Sequence, residues 1–144
     1  MAQNMERVTV VIPAFNAEST LSAAVGSARD AGVVQIIVVD DGSTDRTSFV
    51  AKSLGVETVL QTNAGAAEAR EKGRQLADGD YIIFLDADDR LVSAGLWSGL
   101  QLLEADRHAS GVVGGYLPID GLGGEHAPVA PWREGVDLRS LLLR

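Results

Sequence analysis

Two carboxylates, Asp86 and Asp88, follow the apolar run Tyr81-Ile82-Ile83-Phe84-Leu85 with only Ala87 between them. Side chains at i and i+2 of an extended segment point the same way, so the pair can converge on one ligand, while Asp89 points elsewhere. Nearby carboxylates repel, which raises a pKa or recruits a cation, and hard oxygen ligands favour magnesium or manganese over zinc. The arrangement recurs upstream, where Ile36-Ile37-Val38-Val39 runs into Asp40-Asp41-Gly42-Ser43. Two neighbouring strands tipped with acid suit a divalent cation and a polyphosphate. Each cluster also has a plainer use. Asp88-Asp89 can cap a helix that begins near Leu91, and Asp41-Gly42 can turn the chain while Ser43 or Thr44 caps the next helix. The uses coexist, because a turn into a helix N-terminus also aims free backbone N–H groups at a ligand.

The elements that must position these acids follow from hydrophobic periodicity. Val8 to Ile12 is short, β-branched and almost continuously apolar, which predicts a strand covered on both faces and ended by Pro13. A helix from Ala17 to Ala28, capped by Asn16, places Leu21, Ala24, Val25 and Ala28 on one face. A strand over Gln35–Val39, a helix over Asp45–Leu54, a strand over Val56–Gln61, a helix over Ala66–Ala77 and a strand over Tyr81–Leu85 follow. A helix over Leu91–Arg107, with Trp97 in its core face, and a fifth strand over Gly111–Tyr116 complete the reading. Such alternation requires an α/β fold, a mainly parallel sheet with helices on both faces, and ligands of such sheets bind at the carboxyl ends of the strands. Both acid clusters are predicted there.

Composition narrows the partners. The chain has 144 residues, 46% hydrophobic and 22% charged, which suits one soluble globular domain. A formal net charge of −8 argues against nucleic acid and anionic membrane faces as partners, and a bound metal fits better. The absence of cysteine removes disulfides and thiolate metal sites. No apolar run approaches the roughly 18 residues of a membrane span, so the expected location is cytoplasmic, with any membrane contact peripheral.

Four stretches in order resemble a known family. Val10-Val11-Ile12-Pro13-Ala14-Phe15-Asn16, then Ile37 to Asp45, then Asn63-Ala64-Gly65 with Ala69-Arg70, then Asp80 to Asp89 are similar to the N-terminal half of a family 2 inverting glycosyltransferase of GT-A fold, a Rossmann-like architecture. The resemblance covers about residues 7–116. It implies a nucleotide-sugar donor, most often a UDP-sugar, and Mn2+ or Mg2+ at a DXD motif. By that resemblance Pro13, Ala14 and Phe15 line the nucleoside pocket and Asp41 hydrogen-bonds the uracil edge. Arg70 approaches the base or the phosphates, Asp86 faces the ribose or the metal, and Asp88 ligates the metal that bridges to the diphosphate.

Departures matter as well. Glu71 stands where asparagine often follows the arginine. An inverting transfer needs a carboxylate base for the acceptor hydroxyl, and nothing from Leu117 to Arg144 matches the family's base motif. Glu125, Glu134 and Asp137 read as solvated loop residues, His126 as neither base nor ligand, and Trp132 as a loop anchor. The expectation is a nucleotide-sugar-binding domain over residues 1–116 and a loop-rich start of the acceptor half over 117–144, truncated or naturally short and inactive alone. Leu138 to Leu143 is apolar enough to pair with another copy of the chain. A non-catalytic nucleotide-sugar-binding module is the alternative. A receiver domain fails because no lysine follows Lys72, and a dinucleotide-binding dehydrogenase fails because Pro13 to Glu18 contains no glycine.

Overall fold

The computed structural model describes residues 7–120, in two compact units that divide at Ser93. The first unit alternates strictly: β1 (Val8–Ala14), α1 (Leu21–Asp30), β2 (Gln35–Asp40), α2 (Thr47–Ser53), β3 (Glu57–Leu60), α3 (Ala66–Leu76) and β4 (Tyr81–Phe84). The sheet order is β3-β2-β1-β4 and every pairing is parallel. Two crossovers therefore step one way from β1 and the third returns to its other side. Right-handed crossovers then require α1 and α2 on one face and α3 on the other. The reversal beside β1 is the topological switch point, where a crevice opens at the carboxyl ends of the strands. The acid-tipped strands β2 and β4 flank β1 and are not neighbours, as the sequence reading had them.

Burial explains which strands read most clearly. β1 and β2 are central and buried almost throughout, including Val10, Val11, Ile12, Ile37, Val38 and Val39. Among the described residues β4 is an edge strand, half-buried and with Phe84 exposed. The predicted apolar face of α1 is buried at all four positions. α3 approaches the sheet through its small residues: Ala69 packs with Ile37 and Val39, and a Cβ on Gly73 would stand 2.2 Å from Val11 Cγ1.

Several boundaries moved for physical reasons. Pro13 lies inside β1 and does not end it. The last bond from β4 is Leu85 N–H to the Val11 carbonyl, and alternation turns residue 13 toward that vacated side. Its missing N–H therefore breaks no ladder bond. Ala17 to Thr20 form a turn, so α1 begins four residues later than predicted and Thr20, not Asn16, holds its N-cap position. Arg46 precedes α2, so neither Ser43 nor Thr44 caps it.

In the second unit α4 spans Ser93–Ala105, with Leu96 and Leu100 buried and Trp97 only half-buried. A helix starting at Ser93 removes Asp88-Asp89 from its cap position. The fifth strand predicted over Gly111–Tyr116 is absent: only isolated bridges at Tyr116 and Ile119 occur, in an exposed segment. Three glycines in six residues leave too little side chain to cover a strand there.

Candidate functional site

The loop after β2 is tied down by its own acids. The Asp41 N–H donates to the Ala14 carbonyl (2.8 Å), extending the β1–β2 ladder by one bond. Its carboxylate is buried: Oδ1 accepts from Gln61 Nε2 (2.7 Å) and the Ala64 N–H (2.8 Å), and Oδ2 from the Gly65 N–H (2.9 Å). Burial alone would raise this carboxyl, but the three donors outweigh it and hold it below its usual 3.8. Asp40, also buried, accepts the Ser43 N–H (2.9 Å) and closes the turn. Gly42 has φ +75, and a Cβ there would lie 2.8 Å from the Asn63 nitrogen, so the loops after β2 and β3 meet backbone to backbone. Asp41 thus ties two loops together, and protein donors fill three of its roughly four acceptor positions.

The cluster after β4 is built differently. The Asp89 N–H donates to the Asp86 carbonyl (3.0 Å), so residues 86–89 form a turn and not the extended step predicted. Ala87 is buried while Asp86, Asp88 and Asp89 are exposed, which keeps both predicted ligands on the solvent side. Arg70, reaching from α3, donates through Nη2 to Asp86 Oδ1 at 2.6 Å. Partial burial, then the charges of Asp88 and Asp86, raise the Asp89 carboxyl above its usual 3.8. Arg70 and the adjacent Arg90 give two guanidiniums against three acids, and the turn keeps an excess of negative charge.

That donor set suits a shared cation and not a protein cage. Among the described residues no group of three His, Cys, Asp or Glu side chains is placed to hold a metal ion. Magnesium and manganese keep waters and accept one or two carboxylates completed by substrate phosphates, which is what Asp86 and Asp88 offer.

The third part is the end of β1. Phe15 is 52% exposed and Pro13 is half-buried, whereas Ala14 is buried with its carbonyl already accepting the Asp41 N–H, so Phe15 and Pro13 offer the surface at this strand end. Asn16, in the left-handed region at φ 50, follows Phe15 and bonds to the loop after β2. Sequence reasoning missed this link and missed Gln61. Asn16 is legible as a polar residue at a strand end, where it reads as a cap, and nothing in the sequence singles out Gln61. Glu71 turns away from the site: bonds from Arg74 and then Gln75 hold it down to about 2 along the outside of α3. Glu125, His126, Trp132, Glu134, Asp137 and the Leu138–Leu143 segment lie outside the described residues.

Known proteins share this fold. The family described as Glycosyl transferase family 2 matches residues 9–133. An uncharacterised glycosyltransferase of Haemophilus influenzae is 31% identical over 96% of this chain and 58% of its own length. The Escherichia coli UDP-Glc:alpha-D-GlcNAc-diphosphoundecaprenol beta-1,3-glucosyltransferase WfaP is 33% identical over 72% of this chain and 43% of its own. The chain thus spans about half the length of these relatives. The structure of S. aureus TarS with UDP superposes with a TM-score of 0.63 at 22% identity, over 70% of this chain and 33% of that one. The Mycobacterium tuberculosis glucosyl-3-phosphoglycerate synthase complex with Mn2+, UDP and glucosyl-3-phosphoglycerate superposes at 0.59 and 25% identity, over 71% of this chain and 41% of that one. The fold is the expected GT-A fold, of which the chain covers part. The chain belongs to the family 2 glycosyltransferases.

Proposed function

We propose that this chain forms the donor-binding part of a metal-dependent, inverting glycosyltransferase whose donor is a UDP-sugar. The observation that carries the reading is the turn Asp86–Asp89: an exposed, under-neutralised group of acids anchored by Arg70 at the carboxyl end of β4, beside the end of β1. UDP in the solved TarS and glucosyl-3-phosphoglycerate synthase complexes, and Mn2+ in one of the latter, support the choice of donor and ion.

In this reading Pro13 and Phe15 line the nucleoside end, with buried Ala14 between them. Asp88, with Asp86, holds the cation against the diphosphate, and the cation neutralises charge developing on the departing group. Arg70 has two uses. It keeps Asp86 aimed, and its remaining donors are within the same turn's reach for a phosphate oxygen. Asp41 acts on the base chiefly through the loops it ties, with one acceptor position left for a direct contact. No residue of this chain is assigned to the base that activates the acceptor.

Calorimetric titration of UDP into the 144-residue chain, with and without Mn2+, tests the site. Binding should tighten with Mn2+ in the parent and lose that dependence in Asp88→Asn. Equal Mn2+ dependence in both proteins would refute the assignment of Asp88.

A further inference from the structure

The loops after β1 and β2 are joined by reciprocal bonds that run through side chains. Three consecutive amides of the first loop donate to the second loop or to the first residue of α2: Asn16 N–H to Ser43 Oγ (2.9 Å), Ala17 N–H to buried Thr47 Oγ1 (2.7 Å), and Glu18 N–H to Asp45 Oδ2 (3.1 Å). The second loop donates back, from the Thr44 N–H to Asn16 Oδ1 (2.9 Å) and from the Arg46 N–H to Glu18 Oε2 (2.9 Å). The Thr44 hydroxyl adds a bond to Asn16 Oδ1 at 3.3 Å.

Two features show that this clasp is more than loop closure. Ser43 and Thr44 are residue types that favour helix caps, yet α2 starts behind Arg46 without a side-chain cap bond from its N-cap residue. Asp45 Oδ1 accepts the Thr47 N–H (2.9 Å) at the helix start, while the Ser43 and Thr44 hydroxyls are directed across to the other loop. Asn16 also holds a left-handed conformation, φ 50, which asparagine adopts more readily than most other side chains. It does so immediately after Phe15, a large apolar side chain that the fold leaves 52% exposed.

We propose that Asn16 is a positioning residue for the nucleoside end of the donor site: its side chain, held by Thr44, fixes the backbone that presents Phe15. The inference rests on the reading of Pro13 to Phe15 as the nucleoside end. Its substance is that the loop after β2 sets where Phe15 stands, so nucleoside affinity depends on a residue that need not touch the nucleoside.

Three variants of the full chain separate this role from simple tolerance of a positive φ. Asn16→Gly keeps the left-handed backbone and removes the bridge, Asn16→Asp keeps an acceptor for Thr44, and Asn16→Ala loses both. NMR titration with uridine should show affinity reduced about tenfold in Asn16→Gly and more in Asn16→Ala, with Asn16→Asp within about twofold of the parent. Titration with Mn2+ alone, which reports on the turn at Asp86, should be the same in all four proteins. Parent-like uridine binding by Asn16→Gly would overturn the proposal, as would a parallel loss of Mn2+ binding, which marks general damage. A parent chain that binds neither uridine nor UDP would overturn the nucleoside reading itself, and that result is distinct from either of the others.

Discussion

The two acid clusters are written alike, each an apolar strand running into aspartates, but the fold uses them in opposite ways. Asp41 is buried, lowered in pKa, and surrounded by donors from Gln61, Ala64 and Gly65. Asp86, Asp88 and Asp89 stand exposed on a turn where partial burial and then the charges of its neighbours raise Asp89, with Arg70 as the cation paired to Asp86. A carboxylate supplied with donors by its own chain organises structure. A group of carboxylates short of positive charge is what can take up a cation. The difference comes from neighbours: β2 is central and its loop meets the loop after β3, whereas β4 is, among the described residues, an edge strand opening to solvent.

Substitutions sharpen this contrast in order of expected effect. Gly42→Ala should be the most damaging, because it places a Cβ 2.8 Å from the Asn63 nitrogen at φ +75. A loss of about 3 kcal/mol in urea unfolding is expected. A loss below about 1 kcal/mol would mean that the two loops are not locked together as described. Asp41→Asn should cost about 2 kcal/mol, since the amide's N–H2 would face backbone or side-chain donors now met by a carboxylate.

The pH dependence of stability carries the same signature with opposite signs. The Asp41 carboxyl is lowered on folding, so its stabilisation is present above its usual 3.8 and is lost as pH falls through the lower folded value. Asp41→Asn should therefore flatten the acid limb of a stability profile; an unchanged limb would contradict the bonding described. Asp89 is raised on folding, so its contribution favours the folded state at low pH and is lost as pH rises through the raised value. Asp89→Asn should accordingly gain a few tenths of a kcal/mol near neutral pH and nothing well below pH 3.8, the smallest effect of the set. A loss of stability at neutral pH would show that its charge is compensated after all.

Much of this was legible from residue order. The strand and helix alternation through β4, the buried face of α1 and the carboxyl-end location of both clusters follow from periodicity, which responds to burial, and burial is greatest for β1 and β2. What escaped was set by tertiary contacts. Pro13 reads as a strand end because proline breaks a ladder, and only the fold shows that the ladder on its side has already ended; Asn16, Ser43 and Thr44 read as caps because the opposite loop is not visible in the sequence. The Gly111–Tyr116 segment is apolar enough for a strand on paper but its glycines leave little to bury. At the site, residue types located the acids, while the division of labour between them depended on Gln61, Ala64, Gly65 and Arg70.

One paired measurement tests that division directly. Thermal melting and Mn2+-dependent UDP binding should be recorded side by side for Asp41→Asn and Asp88→Asn in the full chain. The account predicts that Asp41→Asn melts about 10 °C lower yet keeps the parent's ratio of UDP affinity with and without Mn2+. It predicts that Asp88→Asn melts like the parent, as an exposed acid should, and loses the Mn2+ dependence. The reverse pattern, with Asp41→Asn abolishing the metal dependence or Asp88→Asn destabilising the fold, would contradict it.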